Sequence, residues 1–235
     1  MSHRQGNVIM EPDIWTKSYP TPKLKEPVAV VGSPGLRSIG KLVVDRLIAQ
    51  TQAQLIVEVY SKHLPSIYQT TPSYAPHPSL PGFGGAFVES GTVDLPKVQI
   101  YACPNPPLVF ARGYHPNFQG QYSVAQKVLD SLGDIGVKRM IVVAGFGSKE
   151  KKICCAAHNQ KSIDEMKKFD VGVGYKGPFM GFSGLVFGLA KLKEIEAVCL
   201  FVSTEPVEED LEFPDQEGAG RAVDLLLKML GLSKA

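Results

Sequence analysis

The chain has 235 residues, 44% hydrophobic and 20% charged, enough to bury one sizeable core without a metal or disulfide staple. Its formal net charge is +2 and its Lys and Arg are scattered among acids, which excludes an obvious nucleic-acid face; the densest run, Lys149-Glu150-Lys151-Lys152, reads as a solvated loop. The first eleven residues lack the apolar stretch of a secretory signal, and no apolar segment reaches the roughly 20 residues that span a bilayer, so a cytoplasmic protein without membrane contact is expected.

Residues 1–26 carry Pro12, Pro20 and Pro22 and no sustained period, and are expected to form an extended arm that docks through Trp15 or Tyr19. Residues 27–235 are expected to form a single α/β domain. It opens with a strand at 27–32, whose unbroken Val28-Ala29-Val30-Val31 run suits a position covered on both faces. Ile39, Leu42, Val43, Leu47 and Ile48 then follow a helical period, and a strand at 55–60 completes a β-α-β unit with a right-handed crossover.

The stretch 61–85, with Pro65, Pro72, Pro76, Pro78 and Pro81, reads as a long proline-rich insertion. Residues 86–90 and 97–103 are expected to pair around Gly91, and 108–112 to form another strand ending at Gly113. A helix over 121–132 has Tyr122, Ala125, Val128, Leu129 and Leu132 as its stripe. A buried strand over 139–144 stops at Gly145-Phe146-Gly147.

Further along, a short strand at 153–157 precedes an exposed helix at 162–168 capped by Ser162, and Ser183 is expected to cap a helix over 184–193. A strand at 197–203 and a helix from about 215 to 230 close the chain, the latter with Ala219, Ala222, Val223, Leu226, Met229 and Leu230 inward. Alternating strands and helices predict an α/β fold, with helices on both faces of a mostly parallel, mixed sheet.

Several motifs invite a catalytic reading. Gly35-Leu36-Arg37-Ser38-Ile39-Gly40-Lys41-Leu42 lies between a strand and a helix, one residue short of a phosphate-binding loop. Leu42 stands where such a loop needs a hydroxyl for Mg²⁺, and Pro34 lacks an N–H for the cradle, so a structural turn is expected. Gly172-Val173-Gly174-Tyr175-Lys176-Gly177 spells a dinucleotide fingerprint but does not open a helix directly. Gly181-Phe182-Ser183-Gly184 approaches a nucleophile elbow, but Leu185 stands where glycine is required.

The five histidines, His3, His63, His77, His115 and His158, share no metal-ligand spacing, and His115 after a strand end reads as a loop residue. The acids Glu205, Glu208, Glu209, Asp210 and Glu212 read as a solvated loop. Cys103, Cys154, Cys155 and Cys199 read as reduced, half-buried thiols, with Cys154 and Cys155 on opposite faces of a strand. No catalytic residue, cofactor or metal site is expected.

Taken in order, these segments resemble the proteasome assembly chaperone 2 family as found in archaea and some bacteria. The resemblance is carried by Val30-Val31-Gly32-Ser33-Pro34-Gly35 with Gly40-Lys41, by Glu58-Val59-Tyr60-Ser61, and by the stretch from Ile100 through Gly113, Gly120, Gln121 and Tyr122 to Leu129. It continues in Gly136-Val137-Lys138-Arg139, Ala144-Gly145-Phe146-Gly147, Gly181-Phe182-Ser183-Gly184-Leu185, Ser203-Thr204-Glu205 and Pro214-Asp215, covering residues 27–232.

The resemblance implies a three-layer α/β/α sandwich similar to purine nucleoside phosphorylases. It also implies a non-catalytic, self-associating factor that binds proteasome subunits or a related protein complex. The turns at Gly32, Pro34, Gly35, Gly40, Gly113, Gly145, Gly147, Gly181, Ser183 and Gly184 then serve structure or an interface. The sequence closes Leu232-Ser233-Lys234-Ala235, without the hydrophobic-Tyr-X tail through which the resemblance has some archaeal members dock on the proteasome, so either another contact surface or a related member with a different partner is expected. The alternative is a phosphorylase-like or ATP-using enzyme on the same fold, motivated by the glycine turn and His115.

Overall fold

Strands and helices alternate along the computed structural model, which describes residues 7–10, 13–64, 87–114, 118–205 and 213–233. β1 (Asn7–Met10) and β2 (Ile14–Ser18) precede β3 (Val28–Gly32), α1 (Ile39–Thr51) and β4 (Gln54–Ser61). The middle of the chain supplies β5 (Phe87–Glu89), β6 (Thr92–Asp94), β7 (Val98–Pro104), β8 (Pro107–Arg112) and α2 (Gln121–Asp134). β9 (Arg139–Gly147), β10 (Ile153–Ala157), α3 (Gln160–Lys167), β11 (Gly172–Val173), α4 (Gly181–Ala190), β12 (Glu196–Thr204) and α5 (Gln216–Leu230) follow. Most of the proline-rich stretch, His77, His115 and the acids Glu208, Glu209, Asp210 and Glu212 lie outside the described residues.

Among the described residues ten strands form one mixed sheet in the order β1-β2-β4-β7-β8-β3-β9-β12-β10-β11. β8, β3, β9 and β12 run parallel at its heart, and antiparallel pairings extend it on both sides. Alternation along the central strands sorts their side chains into two cores. Ala29, Val31, Met140, Val142 and Cys199 pack with α2 and α4 on one face. Val30, Ile141, Val143, Val198 and Leu200 pack with α1, α3 and α5 on the other. The result is the three-layer α/β/α arrangement the alternation of elements predicts.

Several expectations change in detail. β4 runs in the direction of β3 but is not its neighbour, because the β7–β8 hairpin lies between them. Residues 86–90 and 97–103 do not pair: β5 pairs with β6 in a separate ribbon, whereas β7 turns at Asn105-Pro106 onto β8. Two turn signals lie close together there, and each closes its own local hairpin. β9 runs through Gly145 to Gly147, because Val202, Ser203 and Thr204 of β12 continue the ladder. On α2, Tyr122 is exposed and Val124 takes its place in the core.

Trp15 of β2 stacks on Tyr60 at 5.8 Å and 8°, and β2 pairs with β4 along its whole length. Two residues before Tyr60 on β4 is Glu58, only 3% exposed. Its carboxylate meets Lys97 Nζ at 2.7 Å and accepts from the hydroxyls of Tyr19 at 2.7 Å and Tyr60 at 3.0 Å. A carboxylate within the apolar run Leu55-Ile56-Val57-Glu58-Val59 is tolerable only with such partners.

α5 is capped by Asp215, whose Oδ1 accepts from Gly218 N–H at 2.7 Å and whose Oδ2 accepts from the Thr204 hydroxyl at 2.6 Å. Burial pushes this carboxyl up, but Thr204, Gly218 and Arg37 outweigh it and hold it below the ordinary aspartate range. Its contribution is therefore complete above the unfolded value and is lost as pH falls through the folded one. Asp215→Ala is expected to cost about 1–2 kcal/mol at neutral pH, a difference that narrows on acidification in urea unfolding curves.

Candidate functional site

The C-terminal ends of the parallel strands gather nearly every turn singled out above. From β3 the chain leaves for β4, on the β8 side of the sheet; from β9 it leaves for β10, on the opposite side. The boundary between β3 and β9 is thus a topological switch point, where open α/β sheets leave a crevice. A cleft of about 540 Å³ occupies it, lined by Ser33 to Leu36 after β3, by Val143 to Gly147 of β9, and by Tyr175, Pro178 to Gly181, Ser183 and Phe201.

Close backbone approach shapes this end of the molecule. A Cβ on Gly32 would lie 2.1 Å from the carbonyl oxygen of Gly40, and one on Gly40 would lie 2.6 Å from that of Val143. α1 is therefore seated directly against the strands, which any side chain at either position would prevent. Gly113, Gly145 and Gly184 are equally enclosed, by Ser33, by the Leu36 carbonyl and by the Phe179 carbonyl. Gly147 differs: it lines the cleft and a Cβ there would meet nothing within 4 Å.

The phosphate-loop likeness dissolves in this geometry. The turn is a single 3-10 turn, Leu36–Ser38, in which Arg37 and Ser38 have φ of 48° and 54°. The Arg37 guanidinium donates to the carbonyls of Phe213 and Glu205, both at 2.9 Å, and lies 3.9 Å from Asp215, tying the first turn to the last loop. Lys41 Nζ meets Asp45 at 2.5 Å, beside Arg112, which meets the same carboxylate at 3.0 Å. Both cations border a separate polar cleft of about 590 Å³, which also carries Asp94 and Lys97.

Ser183 does not cap its helix. α4 begins two residues earlier, at Gly181, whose φ of 83° admits the chain into the helix, and Met180 holds the cap position without a side-chain bond. The Ser183 hydroxyl instead pairs with that of Ser33 at 2.8 Å, and both residues are buried. Among the described residues no imidazole, amine or carboxylate bonds either hydroxyl, so neither serine is activated as a nucleophile needs to be. Ser162 likewise yields its cap role to Asn159, which accepts from Ser162 N–H at 2.8 Å, and turns its own hydroxyl to Glu196 at 2.6 Å.

The cleft wall is aromatic. Tyr175 stacks on Phe201 at 4.2 Å, Phe179 stands edge-on to Phe201 at 4.8 Å, and Phe146 meets Tyr175 edge-on at 6.1 Å. No charged side chain belongs to the lining among the described residues. His158 lies outside it, with Nε2 2.8 Å from the Phe187 carbonyl and its ring against Phe187. The convergence of these aromatics from three separate segments leaves no local sequence signature. A signal for the buried Glu58 cluster was present, as a lone acid in an apolar strand.

All four cysteines are free and buried rather than half-buried, and Cys154 and Cys155 face opposite cores. Burial pushes the thiols of Cys154, Cys155 and Cys199 up, the last well above the usual range, which suppresses the reactive thiolate. A disulfide-exchange thiol reagent is expected to find none of them promptly in the native protein and all 4 in denaturant.

Fold and site together define an α/β/α protein with a neutral, aromatic-lined cleft at its switch point. The chain belongs to the PAC2 family, whose sequence profile matches residues 29–234. A curated relative, an uncharacterized protein of Methanocaldococcus jannaschii, is 21% identical over 189 residues, covering 77% of this chain and 67% of its own. Among solved structures, Pyrococcus furiosus PbaB, an archaeal proteasome activator, aligns with a TM-score of 0.77 at 21% identity, over 96% of this chain and 92% of its own. PbaA of the same organism, an archaeal homolog of proteasome-assembly chaperone, aligns with 0.69 at 19% identity over 91% and 85%. A proteasome-assembly chaperone homologue of Mycobacterium tuberculosis gives 0.63 at 17% identity over 88% and 87%.

Proposed function

We propose that this chain is a non-catalytic cytoplasmic protein-binding factor that self-associates and engages proteasome subunits or a closely related complex. Family membership across the whole α/β/α domain carries this reading. The neutral cleft supports it, since the glycine turns serve backbone packing and the Ser33–Ser183 pair has no described base. The enzyme alternative draws nothing from Lys41, which Asp45 and the polar cleft hold away from the switch point.

A protein partner would cover apolar side chains that the fold leaves in solvent. The β5–β6 ribbon displays the cross-strand pair Val88 and Val93, 70% and 68% exposed, with Leu95 beside it. Purified proteasome α and β subunits are expected to be retained by the immobilised protein, and Val88→Asp with Val93→Asp to reduce retention. No retention under assembly conditions contradicts the reading. Solution mass is expected to exceed that of one chain, and a strict monomer removes the self-association. ATP and inorganic phosphate are expected to leave the melting temperature unchanged, since a ligand bound only to the native state would raise it.

A further inference from the structure

We infer that the switch-point cleft is a binding site for a small, uncharged, planar aromatic molecule, a role separate from protein binding. Its position is the one at which open α/β sheets hold ligands, outside the carboxyl ends of strands whose connections diverge. Its volume of about 540 Å³ falls within the range of small-molecule sites.

The chemistry of the lining selects the ligand. Phe146, Tyr175 and Phe179 offer faces and edges against which a flat ring packs, and Phe201 backs them. The Tyr175 hydroxyl already donates to the Pro178 carbonyl at 2.7 Å, so this ring presents mainly apolar surface. At the polar end stand Ser33 and Ser183, which bond one another through a single hydrogen bond and keep further donor and acceptor capacity for one polar edge of a ligand. A charged ligand would lose its hydration without gaining a counter-ion, because no described side chain of the lining is charged and the Arg37 guanidinium is engaged elsewhere.

The cleft is also pre-formed. Gly145 of its lining packs against the Leu36 carbonyl, and Gly32 and Gly40 seat α1 against the neighbouring strands by backbone contacts that leave no room for a Cβ, so little ordering is left for a ligand to impose.

Ligand-observed NMR with nicotinamide and indole as neutral probes, and benzoate and AMP as charged ones, tests the site on the full chain. Saturable binding of at least one neutral probe is expected, at least tenfold tighter than either charged probe. Gly147→Leu, which enlarges a lining residue whose Cβ would meet no neighbour within 4 Å, is expected to weaken it at an unchanged melting temperature. Met180→Asp, at a cleft residue 69% exposed and so safe for folding, is expected to weaken neutral-probe binding at least tenfold. Absence of saturable binding by both neutral probes overturns the inference. So does tighter binding of a charged probe, or neutral-probe binding untouched by both substitutions.

Discussion

Lys97→Met is expected to destabilise the protein by about 3–5 kcal/mol, because it strands the buried Glu58 carboxylate of β4 without its counter-ion. Side-chain exposure is 11% for Lys97 and 4% for Glu58, so little water reaches the carboxylate to replace the lost contact. Burial alone pushes the Glu58 carboxyl up, but Lys97, Tyr19 and Tyr60 outweigh it and hold it below the ordinary glutamate range. Its stabilisation is therefore complete above the unfolded carboxyl value and disappears as pH falls through the folded one. Lys97→Met combined with Glu58→Gln is expected to recover much of the loss, since the amide oxygen can still accept from Tyr19 and Tyr60. Urea unfolding of the two variants at neutral pH checks the sign and the coupling; equal losses would contradict a charge-pair origin.

Gly32→Ala is expected to cost more than about 4 kcal/mol or to prevent folding, a size reserved for a few mechanisms, of which direct overlap is one. The added methyl would stand 2.1 Å from the Gly40 carbonyl oxygen, and both partners are backbone, so no rotamer change relieves it. Relief would require α1 to lift off β3 and β9, opening the core around Val30, Val43 and Val143. Gly147→Ala, at the C-terminal end of β9 and facing open space, is expected to stay within about 0.5 kcal/mol. The contrast in melting temperature between the two glycines separates steric packing from a general preference for glycine in turns.

Those two sites also show where sequence reasoning succeeds and stops. β3, β9 and β12 are legible because a strand covered on both faces must be an unbroken apolar run, as Val28-Ala29-Val30-Val31 is. α1 and α5 are legible through their 3.6-residue stripes. The glycines announce a turn, but not that Gly32 faces Gly40 or that Gly145 lies under Leu36, since those are contacts between segments. Ser183 misleads for the same reason: its hydroxyl has a local role available in any helix start, while its actual partner, Ser33, is 150 residues away. The pairing of β5 with β6 rather than with β7 is decided by turns that sequence shows side by side without ranking. The aromatic wall of the cleft is the least legible feature, because Phe146, Tyr175 with Phe179, and Phe201 come from three separate segments.

The β5–β6 ribbon illustrates a further consequence of the same topology. A two-stranded ribbon is marginal alone, and this one exposes Val88 and Val93. Partner binding would cover these two valines, which makes the ribbon a more sensitive place to perturb binding than the closely packed glycines.

Assembly of proteasome α and β subunits, followed on native gels with and without this chain, tests the central claim most directly. The expected result is that the chain co-migrates with incomplete species and raises the yield or rate of the assembled particle, without ATP. An unaltered assembly course, with the chain migrating apart from every subunit species, would contradict it.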